Sequence, residues 1–387
     1  MDLYNQRGVS AQKEDVHAAI KNMDKGIYQN TFCKILPDYL ADSPEHCTIM
    51  HADTAGTKSI IAYLYYKQTG DLSVWKGIAQ DAIVMNIDDM LCSGATNNFI
   101  LSSTIARNKH LINAEVLSAV INGCNEVLNT WKNYGITIHH AGGETADVGD
   151  LIKTIDVGYT VIARLPRSQV VKVNPQVGDV IVGLASFGQA TYETAYNSGI
   201  GCNGLTSARH DILNKTYYHN YPETYNNTLP QNICYIGNHN LTDSGEQGQN
   251  IGQLLLSPTR TYAPIIQAVL TQHFNKINGI IHSTGGGQTK CLKYITNPLL
   301  IVKDNLFTPP HIFNLIQKAS GINYHEMYQV FNMGQRLEIY TDAQTAKSII
   351  NIATNYNVPA QIIGSVHATT KKGLQLKAPD GEVLFFN

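Results

Sequence analysis

His139-His-Ala-Gly-Gly-Glu-Thr-Ala-Asp147 follows the strand-like segment Gly135-Ile-Thr-Ile-His139 and places two glycines and two carboxylates at the predicted end of a strand. Adjacent glycines allow a backbone to approach a ligand closely, and carboxylate oxygens are the ligands that Mg²⁺ prefers. The stretch therefore favours a ligand beside Gly142 and Gly143, with a magnesium ion held by the paired carboxylates Glu144 and Asp147. Its weight comes from further carboxylates and glycine turns elsewhere in the chain.

The composition narrows the class of protein. A chain of 387 residues is long enough for two domains with substantial cores. Its formal net charge of -2 gives no support for a nucleic-acid surface or a polybasic membrane patch. Apolar runs are short, residues 1–7 lack the apolar core of a secretory signal, and the seven cysteines form no C-x-x-C pair. We therefore expect a cytoplasmic protein that contacts neither nucleic acid nor a membrane.

The order of periodic segments predicts an α+β fold in two domains. The polar, proline-bracketed segment 165–175 is the predicted boundary between a domain of residues 1–166 and a domain of residues 167–387. Residues 189–250 are rich in Asn, Tyr, Gln and Gly and lose periodicity, so we expect a polar surface insertion there. The predicted strands are 47–53, 135–140, 153–163, 179–184, 279–282, 299–302, 336–340 and 360–364, and the predicted helices include 79–91, 115–131, 312–319 and 343–356.

A second glycine turn, Asp53-Thr-Ala-Gly-Thr-Lys-Ser59, joins a predicted strand to a predicted helix. It ends like a phosphate-binding P-loop, but Thr57 separates Gly56 from Lys58, so the P-loop pattern is not met. A helix N-terminus with a nearby ammonium favours phosphate oxygens, and Asp53 is suited to hold a metal that bridges them. An ordinary strand-to-helix turn capped by Asp53 is the alternative, and the residues alone leave it open.

Two adjacent acids, Asp88 and Asp89, lie in an otherwise apolar predicted helix. Burial of a carboxylate costs free energy unless a cation or hydrogen-bond donors accompany it. We interpret the pair as contacts to a metal ion or to phosphate-linked water, against the alternative of a solvent-facing stripe.

A third glycine turn, Thr284-Gly-Gly-Gly287, follows a predicted strand, and its backbone amides are accessible to an anion. A flexible connection fits the same pattern equally well. Taken together, the acids, one lysine and several glycine turns, without a Ser–His or Cys–His nucleophile, indicate phosphoryl transfer with magnesium. Such transfer depends mainly on positioning and charge neutralisation.

The order of these motifs resembles the aminoimidazole ribonucleotide synthetase family, also called phosphoribosylformylglycinamidine cyclo-ligase. The resemblance extends over nearly the whole chain, which makes it far more specific than any single motif. The matching segments are Asp53-x-x-Gly-Thr-Lys58, Asp89 with Ser93-Gly-Ala95, Gly142-Gly-Glu-Thr-Ala146, Gly178-Asp-Val-Ile-Val-Gly183, Asn203-Gly204, Ser257-Pro-Thr-Arg-Thr-Tyr262, Thr284-Gly-Gly-Gly287 and residues 326–334.

The resemblance implies an N-terminal α/β domain that contributes strands to a β-barrel shared by a homodimer, and a C-terminal α/β domain whose sheet is flanked by helices. It implies ATP-dependent ring closure of formylglycinamidine ribonucleotide in de novo purine synthesis, with ATP and Mg²⁺ as cofactors. By the same resemblance the catalytic residues are Lys58, Asp89 and Glu144, and the metal ligands are Asp53, Asp89 and Glu144. ATP contacts fall to Asp53, Gly56, Thr57, Lys58, Asp88, Gly142 and Gly143, and substrate contacts to Asn203, Gly204, Thr284, Gly285, Gly286, Gly287 and Asn332.

Several positions depart from the usual pattern of that family. Asn5 stands where a lysine near ATP is usual, and Arg7 offers a positive charge close by in sequence. Asp88 stands where an asparagine is usual, which adds a negative charge. Gln335 and Arg336 replace small apolar residues.

Two alternative functions stay open. One is a different ATP-using enzyme of the same superfamily, such as a thiamine monophosphate kinase or a selenophosphate synthetase. The run Pro258-Thr-Arg260 favours the cyclo-ligase over the kinase, and a reactive N-terminal cysteine typical of the synthetase is missing. The other is a non-catalytic, nucleotide-binding paralogue, which the loss of a lysine at Asn5 suggests and the retained acids disfavour.

Overall fold

Two β-sheets organise the chain, which the computed structural model describes over residues 3–10 and 14–387. The first sheet contains β1 (Ile35–Pro37), β2 (His46–Thr54), β3 (Phe99–Arg107), β4 (Ile138–Asp147) and β5 (Ile155–Pro166), in the order β1-β2-β5-β3-β4. The second contains β6 (Val180–Ala185), β7 (Ile277–His282), β8 (Leu299–Lys303), β9 (Gln335–Thr341), β10 (Ala360–Ala368), β11 (Gly373–Lys377) and β12 (Val383–Phe386), in the order β12-β11-β8-β10-β6-β9-β7.

The helices pack against these sheets and between them. They are α1 (Leu3–Gln6), α2 (Glu14–Ile20), α3 (Lys58–Thr69), α4 (Val74–Leu91), α5 (Ala114–Lys132), α6 (Leu205–Ile212), α7 (Lys215–Asn220), α8 (Ile251–Leu255), α9 (Ala263–His273), α10 (Cys291–Tyr294), α11 (His311–Ser320), α12 (Tyr324–Val330) and α13 (Ala343–Asn355). The mixed α+β expectation is confirmed. Both sheets are open over the described residues, so the expected β-barrel is not closed by a single chain. No helix in the described ranges is long and apolar enough to cross a bilayer.

The five-stranded sheet is covered on one face only. Alternate residues of β2 such as Cys47 and Ile49 are fully buried, and α4 packs on that side of β2 and β5. On the other face the side chain of Met50 is 60% exposed and that of Ile100 is 48% exposed. The sheet is antiparallel except for the parallel β3–β4 pair, and an exposed face of this kind is typical of a surface that either meets water or packs on a partner.

The glycine-acid stretch of residues 139–147 lies inside β4, and not after a strand as predicted. β4 is an edge strand that pairs in parallel with β3, and the register shifts between Leu101 and Ser103. A Cβ at Gly143 would overlap the backbone and side chain of Ser103, so only glycine fits at this bulge. The hydrophobic pattern ended the strand too early because exposed edge residues carry no apolar signal.

The region 189–250 is less peripheral than its composition indicated. It contributes α6 and α7, and the side chains of Tyr217, Tyr235 and Leu241 are fully buried. Tyr217 donates its hydroxyl to Gln68 and accepts the amide of Leu241, which ties the region to the N-terminal half. These residues therefore pack in a core, because a tyrosine can be buried when its hydroxyl finds a polar partner, and a surface insertion stays a prediction for the rest of the region.

Lys58 opens α3 but turns into the protein. Its Nζ lies 2.9 Å from Oδ1 of Asp81 on α4 and donates to the carbonyl of Ser257 at 2.6 Å, and both charged side chains are fully buried. Asp81 also accepts the amide of Thr259 at 2.7 Å. The pair therefore joins the N-terminal half to the segment 257–262. This placement differs from the expected contact between the Lys58 ammonium and phosphate oxygens.

We expect Lys58→Met to lower the free energy of unfolding by about 3–5 kcal/mol, because it leaves the Asp81 carboxylate buried without its counter-charge. Chemical denaturation would measure this. Lys76→Met is the matched control, since the Lys76–Glu126 pair has a similar length of 2.8 Å but both side chains are largely exposed. Its cost should be about 0–1 kcal/mol. Equal costs for the two variants would contradict the structural role of Lys58.

Candidate functional site

Asp89 is the centre of a buried polar network between the two halves. Its Oδ1 accepts a hydrogen bond of 2.6 Å from Nδ1 of His282, and its Oδ2 lies 3.5 Å from Nε2 of His51. His282 in turn accepts a hydrogen bond of 3.0 Å from Nε of Arg336 at its Nε2. This chain of partners fixes His282 as the neutral Nδ1–H tautomer. Burial accordingly lowers the pKa of His282 to about 4.

The charges around Asp89 keep it ionised. Burial opposes ionisation, but Lys290, His282 and His51 outweigh it and lower the pKa of Asp89 to about 2. Both carboxylate oxygens are thereby engaged by protein groups. These contacts explain the burial of Asp89 without the metal ion that the sequence suggested.

Asp88 is also satisfied by the C-terminal half. Thr261 donates its hydroxyl to Oδ1 at 2.7 Å, and the amide of Tyr262 donates to Oδ2 at 3.1 Å. The side chain is fully buried, and burial raises the pKa of Asp88 to about 7. Asp88 therefore turns its carboxylate to residues 261–262 and does not line the cavity beside the Asp53–Lys58 turn, and its ATP contact stays a prediction. A buried carboxylate needs a cation or hydrogen-bond donors, and for Asp88 residues 261–262 supply these donors.

The three expected metal ligands do not come together in one chain. Among residues 3–10 and 14–387 no group of three or more acidic, histidine or cysteine side chains is arranged to hold a metal ion. Asp53 on β2 and Glu144 on β4 are separated by β5 and β3, a distance of about 14 Å for three strand spacings. Asp89 is engaged by its histidines. The residues of a single chain thus do not fit a magnesium site built from this trio.

The expected substrate residues do converge. The side chain of Asn332 donates to the carbonyls of Gly199 and Ile200 and accepts the hydroxyl of Ser186 at 2.9 Å. Gly204 has a positive φ of 81°, and a Cβ there would overlap the ring of Phe331.

The glycine turn after β7 joins the same place. A Cβ at Gly287 would overlap the carbonyls of Tyr328 and Phe331, and a Cβ at Gly285 would lie 3.8 Å from Nδ2 of Asn203. Nζ of Lys290 donates to the hydroxyl of Thr284. The three segments that sequence analysis grouped therefore form one junction, and the contacts of Asn332 are internal hydrogen bonds.

A cavity of about 500 Å³ lies beside the Asp53–Lys58 turn. Thr54, Gly56 and Thr57 line it, and so do Thr206 and Arg209 of α6. The hydroxyls of Thr57 and Thr206 lie 2.8 Å apart and join the two walls. Sequence analysis missed Thr206 and Arg209, although the Asn203-Gly204 turn pointed to the start of their helix.

Arg7 does not replace the missing lysine at Asn5. Its Nη1 lies 2.5 Å from Oδ1 of Asp211, and its Nε donates to the carbonyl of Ile233 at 3.0 Å. The guanidinium is buried against α6 and the 231–235 segment. The positive charge near the N-terminus is thus a packing element and does not point at the open cavity.

Known protein families match both halves of this arrangement. A model described as AIR synthase related protein, N-terminal domain, matches residues 34–165, and a model described as AIR synthase related protein, C-terminal domain, matches residues 176–377. This chain belongs to the AIR synthase related family.

Named relatives of this AIR synthase related chain include two archaeal proteins. The phosphoribosylformylglycinamidine cyclo-ligase of Methanocaldococcus jannaschii is 30% identical over 323 residues, which cover 83% of this chain and 79% of that protein. The protein of the same name from Saccharolobus solfataricus is 27% identical over 338 residues, which cover 87% of this chain and 83% of that protein.

Solved structures share the AIR synthase related fold. T. maritima PurL complexed with FGAR has a TM-score of 0.55 and 13% identity, and the match covers 97% of this chain but 49% of that one. This chain therefore spans about half the length of PurL. AaThiL complexed with AMPPCP and TMP has a TM-score of 0.54 and 10% identity, with 95% and 92% of the two chains covered. At these identities the likeness shows the fold alone.

His210, next to Arg209 on α6, makes folding sensitive to acid. Burial, followed by the charges of Arg209, Arg7 and Lys215, lowers the pKa of His210 from 6.5 to about 2. Between these two pKa values the unfolded chain binds a proton at His210 and the folded chain does not. The free energy of unfolding is therefore highest above pH 6.5 and decreases as the pH falls below it.

We expect His210→Gln to reduce the decrease in the free energy of unfolding between pH 7 and pH 4.5. The slope should change by up to about 1.4 kcal/mol per pH unit. Urea unfolding at a series of pH values would measure it. His110→Gln, at an exposed histidine, is the control and should follow the wild-type profile. Parallel profiles for His210→Gln and wild type would contradict the buried neutral state of His210.

Proposed function

We propose that this protein closes the imidazole ring of aminoimidazole ribonucleotide, with formylglycinamidine ribonucleotide and ATP as substrates. The observation that carries the proposal is the convergence of Asn203-Gly204, Thr284–Gly287 and Asn332 at one junction beside the Asp89 network. The archaeal relatives that match four fifths of this chain bear the name of that activity. A kinase of the same superfamily would act on another substrate, and a non-catalytic paralogue would act on none.

The chemistry requires an activated amide oxygen. The γ-phosphoryl group of ATP passes to the amide oxygen of the substrate, and ADP leaves. The nitrogen that becomes part of the ring then attacks the amide carbon that carries this oxygen. The bond between that carbon and the oxygen breaks, and the oxygen leaves as part of inorganic phosphate. An amide oxygen is a poor leaving group and phosphate is a good one, so the reaction needs positioned partners more than a protein nucleophile.

Gly56 and Thr57, at the N-terminus of α3, line the cavity of about 500 Å³, and the positive end of a helix dipole favours phosphate oxygens. Such a volume is in the range of nucleotide and cofactor sites. Within the fold of this family, AaThiL is solved with the ATP analogue AMPPCP. ATP binding at this turn is therefore part of the proposal, whereas Lys58 is assigned to structure.

A second copy of the chain would supply what one chain lacks. The bare face of the five-stranded sheet presents Met50 and Ile100, and β4 exposes almost all of its residues at the sheet edge. Exposed apolar side chains and an unpaired edge strand are typical of an interface between sheets. In such a homodimer Glu144 of the partner subunit would lie near Asp53, and magnesium binding would need both chains.

The first test is incubation of the purified protein with formylglycinamidine ribonucleotide and magnesium ATP. We expect one ADP for each product molecule, and a product lighter than the substrate by one water. Mass spectrometry and coupled ADP detection would measure both. Phosphorylation of thiamine monophosphate instead would move the assignment to the kinase. Nucleotide binding without any turnover of either substrate would indicate the non-catalytic paralogue.

The two-chain site predicts complementation between inactive variants. Asp53→Asn and Glu144→Gln should each abolish turnover while the protein stays folded. When the two variants are unfolded together and refolded, about half of the dimers should contain one copy of each variant. Each mixed dimer has one intact site out of two, so the activity should return to about a quarter of the wild-type value.

The control is a mixture of Asp53→Asn with the double variant Asp53→Asn/Glu144→Gln, which has no intact site in any combination and should stay inactive. Absence of recovery in the first mixture, with dimers confirmed by size, would place both carboxylates in the same chain's site. Normal turnover of either single variant would remove that acid from the mechanism.

A further inference from the structure

Lys303 and Glu338 form a charged pair inside the seven-stranded sheet. Nζ of Lys303, at the end of β8, lies 2.8 Å from Oε2 of Glu338 on β9, and both side chains are almost completely buried. β10 and β6 separate these two strands, so the side chains meet across about 14 Å, or three strand spacings. Burial opposes the charged form of Lys303, but the Glu338 carboxylate outweighs it and raises the pKa of the Lys303 side chain. Lys303 therefore stays an ammonium in the folded protein.

The ammonium of Lys303 has two further contacts, and both are to Gln288. It donates to the backbone carbonyl of Gln288 at 3.0 Å and to the side-chain Oε1 at 3.1 Å. With Glu338 these contacts account for all three donors of the ammonium. Gln288 directly follows the Thr284–Gly287 turn, and its side chain is fully buried. The charged pair therefore ends directly behind this glycine turn.

The side chain of Gln288 joins the two turns of the junction. Its Nε2 donates to the carbonyl of Asn332 at 2.8 Å and to that of Gln335 at 2.9 Å, and its Oε1 also accepts from the Gln335 side chain at 2.9 Å. An ammonium can only donate and a carbonyl can only accept, so Oε1 must face Lys303 and Nε2 must face the two carbonyls. Lys303 thus fixes the orientation of this amide, and the amide holds the glycine turn against residues 332–335.

The sheet does not need the charged pair to hold its strands together. β8, β10, β6 and β9 are already paired through their backbones. A buried ion pair gains little stability over apolar side chains of similar volume, because both charges lose their hydration. An apolar side chain at residue 303 would fill the same space but could not orient Gln288. The specific contribution of Lys303 is therefore directional.

We propose that Lys303 is a positioning residue for the ring closure, acting through Gln288 on the Thr284–Gly287 turn. It holds this turn at a fixed distance from Asn332, beside the proposed ribonucleotide site, and Glu338 supplies its counter-charge. Both charged side chains are buried, so neither is a catalytic residue. The role in catalysis rests on the proposed function, whereas the hold on the turn does not.

The test is the double variant Lys303→Met/Glu338→Leu, which removes both charges and leaves neither unpaired. We expect its melting temperature to equal or exceed that of the wild type. KM for formylglycinamidine ribonucleotide should rise about tenfold, because the turn is no longer held at the ribonucleotide site, whereas KM for ATP should stay within about twofold. Loss of folded protein alone would lower kcat and leave both KM values unchanged.

Glu338→Gln is the matched variant, since it keeps the donors of Lys303 on Gln288 and removes only the counter-charge. It should lower the melting temperature and leave both KM values within about twofold of the wild type. If Glu338→Gln does not fold, the double variant decides alone. Lys372→Met is the control for the same segment, because this exposed lysine donates to the carbonyl of Leu292 on α10 at 2.9 Å. It should keep wild-type kinetics.

Hydrogen exchange measured by mass spectrometry reports on the turn without any turnover. The amide of Gly287 donates to the carbonyl of Thr284 at 2.9 Å. Exchange over residues 284–290 should be about tenfold faster in the double variant than in the wild type, and unchanged in Lys372→Met.

Wild-type exchange or wild-type KM values in the folded double variant would overturn the proposal. A double variant that melts far below the wild type would show that the pair serves stability, and would overturn it as well. Faster exchange in a protein that makes no ring product would support the hold on the turn and reject the proposed reaction.

Discussion

The carboxylates buried along α4 are the constraint on which the arrangement of the two halves depends. Asp81, Asp88 and Asp89 lie on an apolar helix of the N-terminal half, and all three accept hydrogen bonds from the C-terminal half. An ionised carboxylate is expensive to bury without donors. Each of these bonds therefore also fixes where the segment 257–262 and the end of β7 must lie.

This use of the acids separates the internal charged groups from the accessible ones. Lys58 and Asp88 are held in internal contacts, whereas Gly56 and Thr57 line a cavity and β4 is exposed at the sheet edge. The departures from the family's pattern also become related. The Asp88 carboxylate and the Arg336 guanidinium, both unusual at their positions, lie 4.0 Å apart, so the added negative charge is accompanied by an added positive one.

Much of the fold could be read from the hydrophobic pattern, because β6 is a continuous apolar run and Leu337 and Ile339 alternate with polar residues in β9. The grouping of Asn203-Gly204 with Thr284–Gly287 also followed from the order of motifs. The predicted strand was shorter than the observed edge strand β4, because the exposed residues of β4 are not apolar and give no hydrophobic pattern. The tyrosine-rich region was placed outside the core, since composition does not distinguish a solvated tyrosine from a buried one with a hydroxyl partner.

The sequence by itself determined the α+β class, the family resemblance and the set of acids and glycine turns, because these depend on local patterns and their order. Only the tertiary structure decided which acids are satisfied internally and that Asp53 and Glu144 lie too far apart within one chain to share a metal ion. It also decided that Arg209 is buried with no partner for its Nε and Nη1 among the described residues. The reason is physical: the state and role of a charged side chain depend on the groups packed around it, and those groups come from distant parts of the chain.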